Sequence, residues 1–379
     1  LKDVKVYDGA GWQSLKGPPG PSTPSADAGN TLALGTDDLL FTTAPPDSDA
    51  YVWCKHGDTP QDRYDLAKTL TPNGQPLSAT NRVTLIILTG TYAGSLNVDA
   101  SFVDVYGIGQ QPNLPAVTLG GINVTAADVR VSGVGVGTQP FKINGLAGQR
   151  FTNCAGGEGS FGSYGTASGT FANCTGGPVS FGSRGIASGT FANCTGGDES
   201  FGTGGTDSGT ASGTFANCTG GDGSFGSYGT ASGTFANCTG GYESFGTDGT
   251  ASGTFANCTG SDGSFGSYGI ASGTFANCTG GDKSFGQSGT ASGTFDGCRG
   301  GRECFGGGNP DEYAEVSGAF FDCAGGSNSF GDYGTTKASA RFVSCRCTGS
   351  GGFGATAGSG VDAGSVRRYC LDQNFNEVT

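Results

Sequence analysis

Gly169-Thr170-Phe171-Ala172-Asn173-Cys174-Thr175-Gly176-Gly177, two variable residues, then Ser180-Phe181-Gly182: this unit, little altered, recurs from residue 150 almost to the end of the chain. A Phe-x-x-Cys pair marks each copy, at Cys154, Cys174, Cys194, Cys218, Cys238, Cys258, Cys278, Cys298, Cys323 and Cys345. The steps between them are 20, 20, 24, 20, 20, 20, 20, 25 and 22 residues. A period of that length means a solenoid, in which a repeat buries its apolar side only against its neighbours. Glycine every few residues, with Thr, Ser and Asn between, is a poor helix former, so each unit reads as one β-coil. The chain is therefore expected to be all-β, a right-handed parallel β-helix.

A second phenylalanine follows the first by ten residues in each unit, from Phe161, Phe181 and Phe201 to Phe330, with one eleven-residue step to Phe353. Coils stack at about 4.8 Å, the spacing of hydrogen-bonded strands, so like residues form ladders along the axis. Phe151 and Phe171 begin one interior ladder, Phe161 and Phe181 a second, and the cysteines from Cys154 to Cys298 a third. Simple alternation would send Phe171 and Cys174 to opposite faces. Asn tolerates the left-handed conformation of a sharp bend, so Asn173 and its equivalents are placed there and both neighbours turn inward. The glycine pairs after each Cys and those flanking the second Phe make the remaining corners.

The ladder cysteines read as buried thiols, because in-register parallel strands rarely offer disulfide geometry. Cys304, Cys345, Cys347 and Cys370 are the better disulfide candidates. One histidine, His56, leaves no zinc site, and no metal or cofactor is expected.

The ladder region is expected over 150–362, preceded by less regular coils over 82–149 with strands at 83–88, 102–108, 116–119, 129–136 and 141–143. That gives about thirteen coils and a rod about 60 Å long at the strand spacing. An open β-helix end invites aggregation and needs a cap. Residues 51–81 are read as the N-terminal cap, with a short amphipathic helix over 59–70 opened by Pro60. Residues 363–379 break the repeat as a C-terminal cap. Residues 17–50 begin with Gly17-Pro18-Pro19-Gly20-Pro21-Ser22, collagen-like triplets that mark either a threefold junction or an extended polyproline linker. Residues 1–16, with Val4, Val6, Tyr7 and Trp12, read as an attachment segment.

Among 379 residues, 76 are glycine and the net charge is −13, which argues against nucleic acid because phosphate contact needs clustered Lys and Arg. The sequence holds no run of about 18 apolar residues, so no membrane insertion is expected.

Two positions vary from coil to coil and are expected to face outward. After the Gly-Gly corner come Glu158, Asp198, Glu199, Asp222, Tyr242, Glu243, Asp262, Asp282 and Glu303. After the Phe-Gly corner come Tyr164, Arg184, Tyr228, Asp248 and Tyr268. Each set forms a stripe, read either as a carbohydrate-binding face, where tyrosine rings meet sugars and carboxylates accept hydroxyl hydrogens, or as a solvated corner. Paired carboxylates hydrolyse glycosides at suitable separations, but no groove-forming insertion surrounds any pair; the largest insertion, near Asn309 to Glu315, holds Asp311, Glu312 and Glu315. The Asn173-Cys174-Thr175 sequon and its repeats, with Asn123-Val124-Thr125, fall on bends expected to be buried and unmodified.

The stretch Val6-Tyr7-Asp8-Gly9-Ala10-Gly11-Trp12, then residues 17–22, Ser25-Ala26-Asp27-Ala28-Gly29-Asn30 and Leu34-Gly35-Thr36-Asp37 resembles linker segments of tailed-bacteriophage fibre and tailspike proteins. Residues 60–143, with a helix leading into Asn81-Arg82-Val83-Thr84-Leu85 and then Thr89-Gly90-Thr91-Tyr92, resemble the opening of a pectin-lyase-type right-handed β-helix. The resemblance implies a homotrimeric virion appendage. It would attach through its N-terminus to other virion proteins and contact a host cell-surface glycan or protein. The expected function is thus structural and adhesive, on the virion surface, and the chain is not expected to be an enzyme. A secreted bacterial adhesin or filament subunit of the same fold is the rival, and a polysaccharide depolymerase is the lesser alternative.

Overall fold

A computed structural model describes residues 5–7, 12–14, 32–34, 40–42, 49–371 and 377–378, less 110–114, 138, 163–164, 204–208, 309–313, 333–334, 351–352, 354–359, 362–365 and 369. The chain divides into two units, Leu1–Asp47 and Ser48–Thr379. In the first, Lys5–Tyr7 pairs antiparallel with Trp12–Ser14, and Leu32–Leu34 with Leu40–Thr42. The collagen-like residues 17–22 lie outside the described residues.

The second unit is a parallel β-solenoid, as the repeat predicts. Each regular coil has three walls. Wall 1 holds the first phenylalanine, as in Thr170–Ala172; wall 2 is a single bridged residue such as Thr175; wall 3 is a two-residue strand such as Ile186–Ala187. Wall 1 runs through fifteen strands, from Tyr51–Cys54 to Val366–Arg368, and every neighbouring pair is parallel. Wall 3 contributes ten strands from Thr166–Ala167 to Gly360–Val361. In the less regular coils the strands are longer: Gly90–Val98 and Val117–Val124 pair with each other, and Val117–Val124 runs from wall 2, beside Val134–Val136, to Phe141–Ile143. The Gly90–Val98 strand has no counterpart among the strands read from sequence.

The register places Phe171 on Phe191, Phe191 on Phe215 and Phe215 on Phe235. Phe235 shows what this does to the core: its ring stacks at 4.8 Å on Phe215 and on Phe255, with planes 2° and 3° apart. The second ladder meets it edge-on, Phe225 at 5.9 Å and Phe245 at 5.8 Å, both at 89°. Each ring inside the two ladders thus has stacked neighbours above and below and edge-on neighbours beside it, the two favoured aromatic geometries at once. Phe141, 4.7 Å from Phe161 with planes tilted by 31°, starts the second ladder one coil earlier than the repeat shows.

Asn173 and its equivalents from Asn153 to Asn277 sit at φ of 51° to 54°, the left-handed bend expected of them, with Phe171 and Cys174 both fully buried. Their side chains are exposed, which corrects the expectation that the sequon bends are buried. Each amide instead donates to the one a coil earlier, Asn173 Nδ2 to Asn153 Oδ1 at 3.0 Å and Asn237 to Asn217 at 3.1 Å. The second phenylalanine of each coil is also left-handed, at 51° to 58° from Phe161 to Phe353. A bulky side chain there costs on the order of 1–2 kcal/mol, offset by ring contacts worth about 0.5–1.5 kcal/mol per pair beyond burial. At the corner between walls 3 and 1, a Cβ on Gly233 would lie 2.2 Å from the carbonyl oxygen of Gly213, so successive coils touch backbone to backbone.

The cysteines are buried thiols. Cys304, Cys345, Cys347 and Cys370 do not form the disulfides expected of them. Cys304 takes the place of a buried serine in the Ser180, Ser200, Ser224 column, and Cys345 simply continues the cysteine ladder. Each ladder thiol donates to the phenylalanine carbonyl one coil back, Cys174 to Phe151 O and Cys194 to Phe171 O, both at 3.5 Å. Burial pushes the Cys304 thiol up to about 12 and holds Cys174 well above the ordinary thiol range.

Pro60–Thr69 is the short helix, with Pro at its start, Asp62 in the first turn and Lys68 in the last, charges that suit its dipole. It covers the first coil: the Asn97 N–H donates to Gln61 Oε1 at 2.8 Å, occupying an edge donor of the Gly90–Val98 strand. Tyr64 is buried beneath it, accepting from the Ala100 N–H at 3.1 Å. The strand Tyr51–Cys54, which precedes the helix, already belongs to wall 1.

Replacing Phe255 by Ala removes a ring with four aromatic neighbours, and denaturant unfolding is expected to show a loss of about 3–5 kcal/mol, whereas Phe255→Leu loses less. Because the thiols are buried, a thiol reagent at neutral pH is expected to label none of the 14 cysteines in the folded protein and all of them in denaturant; fast labelling of the native ladder would contradict this packing.

Candidate functional site

The outward positions follow from the same register that fixes the core. Residues such as Glu199 and Glu243 end the Gly-Gly corner, and residues such as Arg184, Tyr228, Asp248 and Tyr268 follow the Phe-Gly corner. All six are left-handed, at φ of 51° to 55°. The two sets form one surface, because Arg184, Tyr228 and Tyr268 each reach the residue fifteen positions on, in the next coil. Tyr228 Oη donates to Glu243 Oε2 at 2.8 Å. Arg184 Nη2 lies 3.9 Å from Glu199 Oε2, an exposed ion pair of small energetic weight. Lys283 Nζ donates to Tyr268 Oη at 3.4 Å. Lys283 stands two periods after Glu243, a lysine in a register otherwise rich in carboxylates.

The aspartates divide differently. Asp198 Oδ1 accepts from the Asp222 N–H at 3.0 Å, and Asp222 Oδ1 from the Tyr242 N–H at 2.8 Å. Asp262 and Asp282 repeat the pattern toward Asp282 and Arg302, at 2.8 and 2.7 Å. One oxygen of each carboxylate is thus committed to holding the next coil. Glu303 is buried, not on the exposed corner expected of it, with Oε1 3.3 Å from Arg302 Nη2. Tyr164 lies outside the described residues, as do Asp311 and Glu312; Glu315 lies on wall 3, where Lys337 Nζ is 3.6 Å from its Oε2.

What the fold brings together is therefore narrower than the two stripes: Tyr228, Tyr242, Glu243, Asp248 and Tyr268 within three neighbouring coils. The three tyrosines are 44, 50 and 44 % exposed, large rings on a surface otherwise of Gly, Ser and Thr. Tyr228 and Tyr268 occupy one column with Asp248 between them, two coils or about 10 Å apart at the strand spacing. Hydrogen bonding to Glu243, then burial, pushes the Tyr228 hydroxyl up to about 12, and Glu243 holds Tyr242 above its ordinary range as well. Partial burial, then the charge of Glu243, raises the Asp248 carboxyl. Among the described residues no three or more of His, Cys, Asp and Glu gather as a metal site, and no helix is long and apolar enough to cross a membrane.

Because Asp248 is raised in the folded state, its charge opposes folding above that pKa, and the penalty vanishes as pH falls through it. Asp248→Asn is therefore expected to raise the thermal midpoint at pH 7, with the gain shrinking as the pH is lowered through the raised carboxylate range. A gain that does not change with pH would show that only the backbone preference of Asn at this left-handed position is at work.

No family model matches the chain, and no curated protein does. Among solved structures it is similar to two variants of the catalytic domain of a GH87 alpha-1,3-glucanase, each in complex with tetrasaccharides. Both align at 11 % identity with a TM-score of 0.38, over 88 % and 86 % of this chain and 71 % of the other. This corrects the expectation of a non-enzymatic chain, since the solved structures that share its outline are glycoside hydrolase catalytic domains. At that identity and score the likeness is to a fold, and no residue role passes from them to this chain.

Proposed function

We propose that the chain is a stiff host-contact element of a virion appendage, a rod that presents Tyr228, Tyr242, Glu243, Asp248 and Tyr268 to a cell-surface glycan. The observation that carries this reading is three exposed phenolic rings and two carboxylates gathered within three neighbouring coils, with Tyr228 hydrogen-bonded to Glu243, on coils hydrogen-bonded to one another at every wall. Tyrosine offers a flat apolar face and a polar tip, and carboxylates accept from sugar hydroxyls. The likeness of residues 6–37 to phage appendage linkers supports attachment to other virion proteins and a homotrimer.

The test is binding of the full chain to an array of bacterial surface polysaccharides. A single strong glycan class is expected, and Tyr242→Ala or Tyr268→Ala should weaken it on the order of tenfold, about 1.4 kcal/mol. Undiminished binding by both variants would overturn the reading.

A second reading, cleavage of the bound glycan, is favoured by Asp248 beside Glu243: partial burial, then the charge of Glu243, raises the Asp248 carboxyl, the direction a general acid needs. It predicts release of new reducing ends from the bound polysaccharide, abolished in Asp248→Asn while binding persists.

A further inference from the structure

We propose that the cysteine column of the solenoid is a site for soft cations that take two ligands in line, mercuric ion foremost, held between the sulfurs of successive coils. The column is longer than the Phe-x-x-Cys repeat. The ten cysteines from Cys154 to Cys345 are followed by Cys370, which lies against Cys345 and makes eleven thiols in one file. Each thiol inside it has those of the coils before and after as neighbours, as Cys194 has Cys174 and Cys218. The sulfurs keep the same surroundings in coil after coil. Cys238 Sγ lies 3.5 Å from the carbonyl oxygens of Phe215 and Ala236, and Cys278 Sγ lies 3.5 Å from those of Phe255 and Ala276. They are therefore related by the coil translation alone, which the rings of the same wall set at 4.8 Å.

That spacing suits a bridging metal. A bond from a filled-shell metal ion to a thiolate sulfur is about 2.3 Å long, so two sulfurs in line on one ion stand about 4.6 Å apart, close to the repeat of the column. Thiolate is a soft ligand and selects soft cations. The number of ligands then decides among these. Among the described residues no three of His, Cys, Asp and Glu converge, so each gap offers two sulfurs and no more. Zinc takes four ligands, and calcium and magnesium take six or more oxygens, so neither class is served. A sulfur holding one ion above and another below would need both bonds in one straight line, which its lone pairs do not offer. Ions therefore occupy every second gap.

Charge selects the ion. Two thiols and one divalent cation give RS–M–SR and two protons, which leave to solvent; two S–H bonds are replaced by two S–M bonds, and nothing is oxidised or reduced. The product is neutral, as an interior of phenylalanine rings without counter-charges requires. A monovalent silver or cuprous ion reaches neutrality only by leaving one of the two protons in place, so mercuric ion is the one that takes both thiolates. Eleven thiols filled at alternate gaps hold five ions with one thiol over. The count then depends on parity. Cys238 is fifth in the file, and its loss leaves runs of four and six, still five pairs. Cys258 is sixth, and its loss leaves two runs of five, only four pairs.

The test uses the full chain and mercuric chloride, added to the native protein over days and, in parallel, during refolding from denaturant, when each gap is open before the next coil closes it. Exchange against a small monothiol removes ions held by a single sulfur, and native mass spectrometry counts those retained. Five per chain are expected, with X-ray absorption showing two sulfurs at about 2.3 Å and no third ligand. Cys238→Ala should also retain five and Cys258→Ala four, although the two substitutions remove the same atoms from adjacent coils. Cys54, Cys304 and Cys347 stand outside the file and count equally in every variant. The native chain should fill more slowly than the refolding one, because its thiols are buried. Far-UV circular dichroism confirms the fold of each variant, and zinc chloride should leave no ion behind. Equal counts in the two variants, a shell of three or four sulfurs, or no ion retained by either route would each overturn the proposal.

Discussion

The constraint on which the solenoid rests is that a phenyl ring and a β-strand stack at the same distance. Rings in both ladders repeat at 4.7 to 5.0 Å through the regular coils, and parallel strands repeat at about 4.8 Å, so neither has to tilt or stretch to satisfy the other. Two ladders at right angles then fill the interior, where Val316 is the single buried branched aliphatic side chain among the described residues of the repeat. The remaining features follow. Left-handed Phe at the second position turns its ring inward, left-handed Asn lets Phe and Cys share the interior, and glycine corners allow coils to touch through backbone alone. The thiols and the Ser column fill what the rings leave and donate to carbonyls within the coil stack.

This construction separates core from surface. Because an interior position is dictated by the coil before and after it, variation is confined to the corners and to the outer columns of wall 1. The tyrosine corner occupies such positions. It is assembled from residues apart in sequence but neighbours in rank, so a single substitution changes the surface without disturbing the ring stack.

Much of the fold was legible because the repeat is so strict. The period gave the coil, the Phe-x-x-Cys spacing forced a bend, and Asn was the residue able to make it. What could not be read has physical causes. Left-handed Phe is disfavoured locally and becomes acceptable only through its four ring neighbours, which no single unit contains. The amide ladder of Asn173 and Asn193 depends on exposure, which the spacing does not report. Cys304 looked like a disulfide partner because it departs from the repeat, but it substitutes for a serine one column away. At the corner, the fifteen-residue step from Tyr228 to Glu243 was present in the sequence. Its meaning required knowing that the corners overlap from coil to coil.

The central claim is that identical coils stack ring on ring, and excision tests it most directly. Removing residues 234–273, two whole units, would place Phe275 on Phe215 and Phe285 on Phe225 with every ladder intact. Small-angle scattering and denaturant unfolding of the shortened chain should then show a folded solenoid shorter by about 10 Å, two strand spacings. An unfolded product, or a folded one of unchanged length, would contradict the account.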